Sequence, residues 1–336
     1  MTSSPLVLPP NQFHRFYAGG ARIDALRGAP AGEEGRPEDW IGSTTTAFGE
    51  QSEGLSRVDD GRLVRDLVRA DPEALLGPAH VSRFGPDPAL LVKLLDAGER
   101  LPVHVHPGRE FARARLGSRW GKTEAWLILH ADPGATVHVG LREPAEAATL
   151  RRWVEDQDAG EMLAALHELP VRAGSAVLVP AGTLHAIGTG ILLLELQEPS
   201  DLSVLLEWRR FGVNSGAEHL GLGWAGALAA VDRSPADPAT FVSEQGEWQL
   251  PPAADPYFRA ERARPGGAEI EAGPSFAVLL VLDGEGALRT ERGDELALRT
   301  GMTALVPYAA GTTVLAGELD AIRCLPPDPA AGEGDW

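Results

Sequence analysis

Residues 174–185 read GSAVLVPAGTLH, and the prediction of the fold starts from this stretch. A glycine and a run of strand-forming residues lead to Pro180 and Gly182, which shape a tight turn before His185 opens the next strand. Residues 301–307 read GMTALVP and repeat the glycine, the strand and the proline. This internal echo, in a chain with 39 glycines and 27 prolines, predicts two related β-barrels joined by many turns.

Composition places the chain among ordinary globular proteins. Its 336 residues are 43% hydrophobic and 23% charged, and this length favours about two domains. The net charge of −18 argues against nucleic acid or an anionic membrane as a partner. A single cysteine, Cys324, excludes an internal disulfide and a multi-cysteine metal site. No apolar run reaches about 18 residues and no basic leader is evident, so we expect a cytoplasmic protein without a membrane span.

A second signal lies at residues 103–106, which read VHVH. Side chains alternate along a strand, so His104 and His106 share one face and can chelate a single ion. Further along, in the β-rich segment KTEAW, Lys122 and Glu124 also share a strand face. Two histidines, a glutamate and the histidine after the P-x-G turn resemble the metal-binding pattern of the cupin barrel.

The predicted metal ligands are therefore His104, His106, Glu124 and His185. Three imidazoles and one carboxylate suit one divalent ion, with zinc first and manganese, iron, cobalt or nickel as alternatives. The set contains more nitrogen than a magnesium or calcium site would. Without sulfur ligands, and with coordination positions left open, it indicates a catalytic metal and not a structural one.

Three longer stretches carry a resemblance to a known family. They are LLVKLLDAGERLPVHVHP (90–107), GKTEAWLIL (121–129) and VPAGTLHAIGTGILLLELQEPSD (179–201). Together they resemble the type I mannose-6-phosphate isomerases, also called phosphomannose isomerases, of the cupin superfamily. The match is dense from about Leu90 to Trp208 and loose in the N-terminal quarter. The resemblance places the family's metal ligands on the same four residues named above.

The resemblance implies a mostly β, bicupin fold of two jelly-roll barrels with helical insertions. The predicted segments are an N-terminal segment packing on the first barrel (1–90), a metal-binding cupin (91–210) with a helical insert at about 143–169, a helical connection and linker (211–256), and a degenerate C-terminal cupin without metal (257–336). Apolar spacing over 61–77 predicts two short helices interrupted at Pro72. We expect Gly160 to separate two helices of the insert, and DGEG at 283–286 to turn between two strands.

For function, the resemblance implies a metal-dependent aldose–ketose isomerase that interconverts mannose 6-phosphate and fructose 6-phosphate through an enediol. Lys122 falls on the family's active-site lysine, and Glu195 falls on a carboxylate proposed to move the proton. Glu195 lies in an apolar strand, where burial would raise its pKa and suit a general base. Leu205 stands where the family has an essential arginine, and Arg210, beside Arg209, is the candidate catalytic replacement.

Two alternatives stay open at this point. The chain could be a divergent metal cupin that isomerises or epimerises another sugar, or a non-catalytic sugar-binding module that keeps its metal site. The family usually has glutamine where this chain has His104, and histidine is a good substitute ligand. In each case we expect a small-molecule sugar or sugar phosphate as the ligand, and a monomer or homodimer.

Overall fold

The computed structural model describes residues 3–30, 32, 35–213, 215–243 and 247–330. Within these ranges β-strands dominate. In chain order the strands are β1 (Leu6–Val7), β2 (Gln12–Phe13), β3 (Glu38–Ile41), β4 (Leu91–Ala97), β5 (His104–Val105), β6 (Glu124–Ala131), β7 (Thr136–Leu141), β8 (Leu166–Pro170), β9 (Ala176–Val179), β10 (His185–Ile187), β11 (Ile191–Gln197), β12 (Val204–Leu205), β13 (Arg259–Ala263), β14 (Glu269–Ala272), β15 (Ala277–Thr290), β16 (Glu295–Arg299), β17 (Thr303–Val306) and β18 (Thr313–Leu325).

Helices lie between and around the strands. The α-helices are α1 (Ala21–Arg27), α2 (Val64–Ala70), α3 (Pro72–Leu76), α4 (Pro78–Phe84), α5 (Arg109–Leu116), α6 (Ala147–Asp156), α7 (Ala159–Ala164) and α8 (Gly223–Ala227). Short 3₁₀ helices occupy Arg209–Phe211, Ala217–His219, Leu228–Ala230, Pro238–Thr240, Pro252–Ala254 and Tyr308–Ala310. No helix within the described ranges has the length and apolar character that crossing a membrane requires.

Two antiparallel sheets build the first β-domain. One runs in the order β2-β3-β4-β11-β6-β9 and the other in the order β12-β5-β10-β7-β8. Apolar side chains of both sheets meet in one core, with Trp126, Ile128 and Val177 from the first sheet and Val137 and Val139 from the second. The apolar run ILLLELQ forms β11, an interior strand between β4 and β6. It is buried along its whole length because its two faces pack in two apolar clusters.

The C-terminal strands form a further antiparallel sheet. Its path is β1-β17-β15-β18-β13, with β14 paired to β18 and β16 paired to β15. The two echoed sequences form corresponding strands, β9 and β17, and each follows a glycine with positive φ, Gly174 at +94° and Gly301 at +79°. The structure thus confirms the predicted mostly β fold with two β-domains and helical insertions.

The N-terminal quarter joins both β-domains. Strand β1 pairs with β17, whereas β2 and β3 extend the sheet of β4. The two helices predicted over 61–77 are α2 and α3, which meet at Asp71 and Pro72. One apolar cluster contains Leu194 of the first β-domain and Val278 of the second, so the two share a core. The four predicted segments of the chain stay a prediction.

The helical insert differs from the sequence prediction at its break. Helices α6 and α7 are separated at Gln157, which has a left-handed φ of +60°, and Gly160 lies inside α7. The Gln157 side chain stabilises this turn: its Nε2 donates to the carbonyl groups of Val154 and Leu206, and its Oε1 accepts from the Trp208 N–H. The last residues of the predicted insert form β8 instead of a helix.

The prediction of a turn at residues 283–286 is wrong. These residues lie inside β15, a 14-residue strand that pairs along β18 with an irregularity between Val281 and Asp283. Gly284 has φ +83°, and a Cβ atom there would lie 2.0 Å from the carbonyl oxygen of Glu318. The glycine therefore serves a β-bulge and the close approach of the partner backbone, and not a hairpin.

We expect Gly284→Ala to lower the free energy of unfolding by about 3 kcal/mol or more, because a clash with Glu318 adds to the strain of positive φ. Gly293→Ala is the matched control, since its φ is +88° but no atom lies within 4 Å of the added Cβ. It should cost only the conformational strain, about 1–2 kcal/mol. Urea denaturation followed by circular dichroism compares them, and equal losses would contradict the proposed close approach.

Candidate metal centre

Three buried histidine side chains converge in the first β-domain. His104 in β5 and His185 in β10 are paired across the strands, and their ring centroids lie 4.0 Å apart. The ring of His106 lies 4.8 Å from each of them. The three residues each offer a nitrogen, and these nitrogens lie within 4.8 Å of one another. The valines between and before them point into an apolar core, as the strand alternation predicts.

Backbone carbonyl groups fix the orientation of each imidazole. The three Nδ1–carbonyl contacts are His104 to Pro102 at 2.9 Å, His106 to Leu202 at 2.9 Å and His185 to Thr183 at 2.8 Å. A carbonyl oxygen only accepts, so each ring donates through Nδ1 and carries its lone pair on Nε2. The Nε2 of His185 is buried and has no hydrogen-bond partner among the described residues. This arrangement fits a metal ion.

The environment keeps the imidazoles of His104 and His106 neutral, which is the form that binds a metal. Burial lowers the pKa of His104 well below its usual range, and the neighbouring His185 and His106 add to the effect. Burial and the Lys122 ammonium group lower the pKa of His106 to about 3. Both rings therefore present a lone pair, and not a proton, toward the centre of the cluster.

Glu124 lies against two of the three rings. Its Oε2 is 3.0 Å from Nε2 of His106, and its Oε1 is 3.3 Å from Nε2 of His185. Trp126 Nε1 donates to Oε1 at 3.0 Å, and Lys122 donates to Oε2 and to His106 Nε2, both at 2.7 Å. Burial would raise the pKa of Glu124, but Lys122 and His106 lower it well below its usual range. The structure thus brings together the four side chains that the sequence predicts as metal ligands.

A small cavity of about 40 Å³ adjoins the cluster. Its charged lining consists of largely buried cations and carboxylates, namely Arg15, Lys93, Lys122, Glu38, Glu124, Glu195 and Asp201. Buried charges of this kind are stable only in pairs or networks. The four carboxyl groups face three cations, so when all of them are ionised the network can take up the positive charge of an ion.

Glu195 in β11 is the least paired carboxyl group of the cavity. It lies 3.5 Å from the Nζ atom of Lys93 and 4.0 Å from that of Lys122. Its Oε2 is buried without a hydrogen-bond partner in the described ranges. Burial and the negative charge of Glu124 raise the pKa of Glu195 to about 8, against the opposing effect of both lysines. Such a group can gain or lose a proton near neutral pH.

The structure does not bring the predicted catalytic arginine to the cavity. Arg210 is 56% exposed, pairs with Glu99 at 3.2 Å, and does not line the cavity. The reason is the 3₁₀ helix that follows β12, which turns Arg209 and Arg210 to solvent. Leu205 does line the cavity, and its Cα is paired with that of His104.

Part of the cavity wall, formed by Arg15, Tyr17 and Glu38, was not predicted from the sequence. Arg15 Nε donates to Glu38 Oε1 at 3.0 Å, and the Tyr17 hydroxyl donates to the same oxygen at 2.6 Å. The other oxygen of Glu38 accepts from Trp40 Nε1 at 2.7 Å and lies 3.5 Å from Lys93 Nζ. No local pattern marks Arg15, because strand pairing brings it to a partner 23 residues away. The sequence EDW at 38–40 offered a signal for Glu38, because a strand places Glu38 and Trp40 on the same face.

Two β-domains, one of which holds a buried cluster of three imidazoles with a carboxylate beside it, define a bicupin protein with a candidate metal site. No family model matches the chain. It is 28% identical over 325 residues to the mannose-6-phosphate isomerase of Streptococcus mutans, which covers 95% of this chain and 98% of that protein. It is 29% identical over 331 residues to the mannose-6-phosphate isomerase of Bacillus subtilis, with 96% and 99% covered.

Solved structures agree with these relatives. The crystal structure of the Bacillus subtilis mannose 6-phosphate isomerase superposes with a TM-score of 0.75 at 25% identity, covering 96% of this chain and 99% of that one. A mannose 6-phosphate isomerase bound with zinc and yttrium shares the fold, with a TM-score of 0.71 at 17% identity over 97% and 100%. Along nearly its whole length the chain is therefore similar to mannose-6-phosphate isomerases in both sequence and fold.

We expect His104→Ala to weaken zinc binding by at least about 100-fold, because it removes one of three converging lone pairs. His104→Gln should lose far less, since an amide oxygen can also act as a ligand. Equilibrium dialysis in zinc buffers, with elemental analysis of the protein, measures both variants.

The matched control is His130→Ala, because the His130 ring is half exposed beside Asp132 and does not belong to the histidine cluster. This variant should bind zinc as the unchanged protein does. A loss in the control as large as that in His104→Ala would contradict the assignment of the site.

Proposed function

We propose that the chain is a metal-dependent aldose–ketose isomerase that interconverts mannose 6-phosphate and fructose 6-phosphate. The observation that carries this proposal is the buried carboxyl group of Glu195 beside Lys122 and the histidine cluster. Similarity along nearly the whole chain to two mannose-6-phosphate isomerases supports the choice of substrate. The location in the cell and the oligomeric state stay predictions.

The reaction needs a group that moves a proton between two neighbouring carbons. Isomerisation moves a proton from C2 to C1 of the open-chain aldose through an enediol, while a hydroxyl proton passes from O2 to O1. One acid–base group can serve both transfers at carbon. Glu195 suits this role because one of its oxygens has no hydrogen-bond partner and its pKa is raised to about 8. We assign it as the proton carrier.

Negative charge develops on the sugar oxygens during this transfer and must be stabilised. Lys122 is 5% exposed and lies 4.0 Å from Glu195, so its ammonium group can donate to those oxygens. In this structure Lys122 donates to His106 Nε2, the lone pair that a metal ion would take. If a metal ion took the His106 lone pair, Lys122 would lose this acceptor and could donate to an oxygen of the sugar instead.

We assign His104, His106, Glu124 and His185 as the ligands of one divalent ion. When bound, the ion supplies Lewis-acid polarisation of the sugar's hydroxyl and carbonyl oxygens. Zinc is the first choice, because three nitrogen donors and one oxygen donor suit it and a structural neighbour is bound with zinc. Manganese, iron, cobalt and nickel accept the same donors.

We expect the zinc-loaded protein to convert mannose 6-phosphate to fructose 6-phosphate in a coupled spectrophotometric assay. Removal of the metal with a chelator should lower the rate by at least about 100-fold, and added zinc should restore it. Free mannose serves as the control substrate. Sugar phosphate binding without turnover, by folded and metal-bound protein, would contradict the isomerase assignment and favour a sugar-binding module.

We expect Glu195→Gln to lower kcat by about 10²- to 10⁴-fold, because it removes the group that carries the proton while keeping its shape. Zinc content should stay unchanged, since Glu195 is not among the assigned ligands. Glu155→Gln, on the exposed face of α6, is the matched control and should keep full activity. Full turnover by Glu195→Gln would remove this residue from the reaction.

A further inference from the structure

One cation of the cavity comes from outside the segments that carry the other site residues. Arg15 lies between β2 and α1, in the N-terminal part of the chain that adds β2 and β3 to the first sheet. Its side chain is 17% exposed and lines the same cavity as His104, Lys122 and Glu195. A guanidinium group in this position is unexplained by the proton transfer proposed above.

Two acidic residues hold the Arg15 guanidinium group in place. Its Nε donates to Glu38 Oε1 at 3.0 Å, and its Nη2 lies 3.3 and 3.5 Å from the two oxygens of Asp201. Its Nη1 makes no hydrogen bond within the part of the chain that the structure describes. Burial would lower the pKa of Arg15, but Asp201 and Glu38 raise it, so the charge is permanent.

Neither acid is reserved for Arg15 alone. Glu38 also accepts from Tyr17 and Trp40, and Asp201 also accepts from the backbone N–H of Phe48 at 3.0 Å. These contacts fix both carboxylates independently of the arginine. The two carboxylates therefore fix the orientation of the guanidinium group through Nε and Nη2. The Nη1 group stays available to a ligand.

The other cations of the described cavity wall have partners at close range. Lys122 contacts Glu124 and His106, each at 2.7 Å. Lys93 lies among Glu38, Glu195 and Asp201, at 3.5 to 3.9 Å. Strand β12 contributes Leu205 to the cavity wall, and this side chain carries no charge. Arg15 lines the same cavity as Lys122, Glu195 and Leu205, so a ligand group that enters this cavity can contact the guanidinium group.

We propose that Arg15 binds an anionic oxygen of the phosphate group of the bound sugar through Nη1. It thereby supplies, from the N-terminal segment, the cation that the strand position of Leu205 lacks. A guanidinium group suits this task because its planar donors bind phosphate with a defined direction. The inference rests on the proposed function, and Glu38 and Asp201 are positioning residues that act through Arg15.

The test compares Arg15→Ala and Arg15→Gln with the double variant Arg15→Ala/Leu205→Arg. Arg152→Ala, which removes an exposed pair with Glu161, is the matched control. For each zinc-loaded protein we measure zinc content, kcat and KM for mannose 6-phosphate, and the Kd of inorganic phosphate by calorimetry. We expect loss of Arg15 to raise KM and the phosphate Kd by about 10-fold or more, with zinc content unchanged. The double variant should recover part of that loss, because both positions line one cavity.

The readouts separate this inference from the proposed function. If the unchanged protein binds phosphate through Arg15 but does not isomerise mannose 6-phosphate, the proposed function fails and the anion site stands. If the unchanged protein is an isomerase and Arg15→Gln keeps its KM and its phosphate Kd, the role of Arg15 is overturned. A fall in kcat alone would also overturn the phosphate contact. Arg15→Gln decides the matter if Arg15→Ala does not fold, since it keeps a neutral hydrogen-bonding group near Glu38, at about the position of the Arg15 Nε atom.

Discussion

The hydrogen bonds from three imidazole Nδ1 atoms to backbone carbonyl groups are the constraint on which the site depends. They set the tautomer of His104, His106 and His185, so that each Nε2 lone pair faces the same point before a ligand arrives. The acceptors are backbone atoms, so the orientation is fixed by the strands and turns themselves. This explains why a motif of short strands and a P-x-G turn suffices to build the centre. Preorganisation of this kind lets a site bind a ligand without rearranging its side chains.

Two buried glutamates of the cavity have opposite environments, and the contrast assigns their roles. Burial acts to raise the pKa of Glu38, but Arg15 and Lys93 oppose it and hold this pKa well below its usual range. Burial also acts on Glu195, where Glu124 adds to it and the nearby lysines do not compensate. Glu38 is thus a permanent anion that anchors cations, whereas Glu195 can exchange a proton. Pairs of carboxyl groups whose pKa values are pushed apart commonly divide acid–base and structural work in this way.

The sequence predicted those parts of the molecule that depend on short-range periodicity. Strand alternation placed His104 and His106 on one face, and the glycine–proline turn placed His185 at the start of the next strand. Prediction from the sequence was wrong or incomplete where contacts between distant segments determine the structure. The sequence DGEG at 283–286 is typical of a hairpin turn, but pairing with the distant strand β18 keeps these residues extended. Arg15 reaches the cavity only through the pairing of β2 with β3, and Arg210 leaves it because the chain turns after β12.

Anomalous diffraction from crystals grown with zinc would show whether these four residues bind one ion. We expect one ion bonded to the Nε2 atoms of His104, His106 and His185 and to a carboxylate oxygen of Glu124, at about 2.0–2.2 Å from each. The Nδ1–carbonyl contacts should be unchanged in that crystal. An ion bound elsewhere, or one bound through Nδ1 after the rings have turned, would contradict the claim that the backbone presets this site.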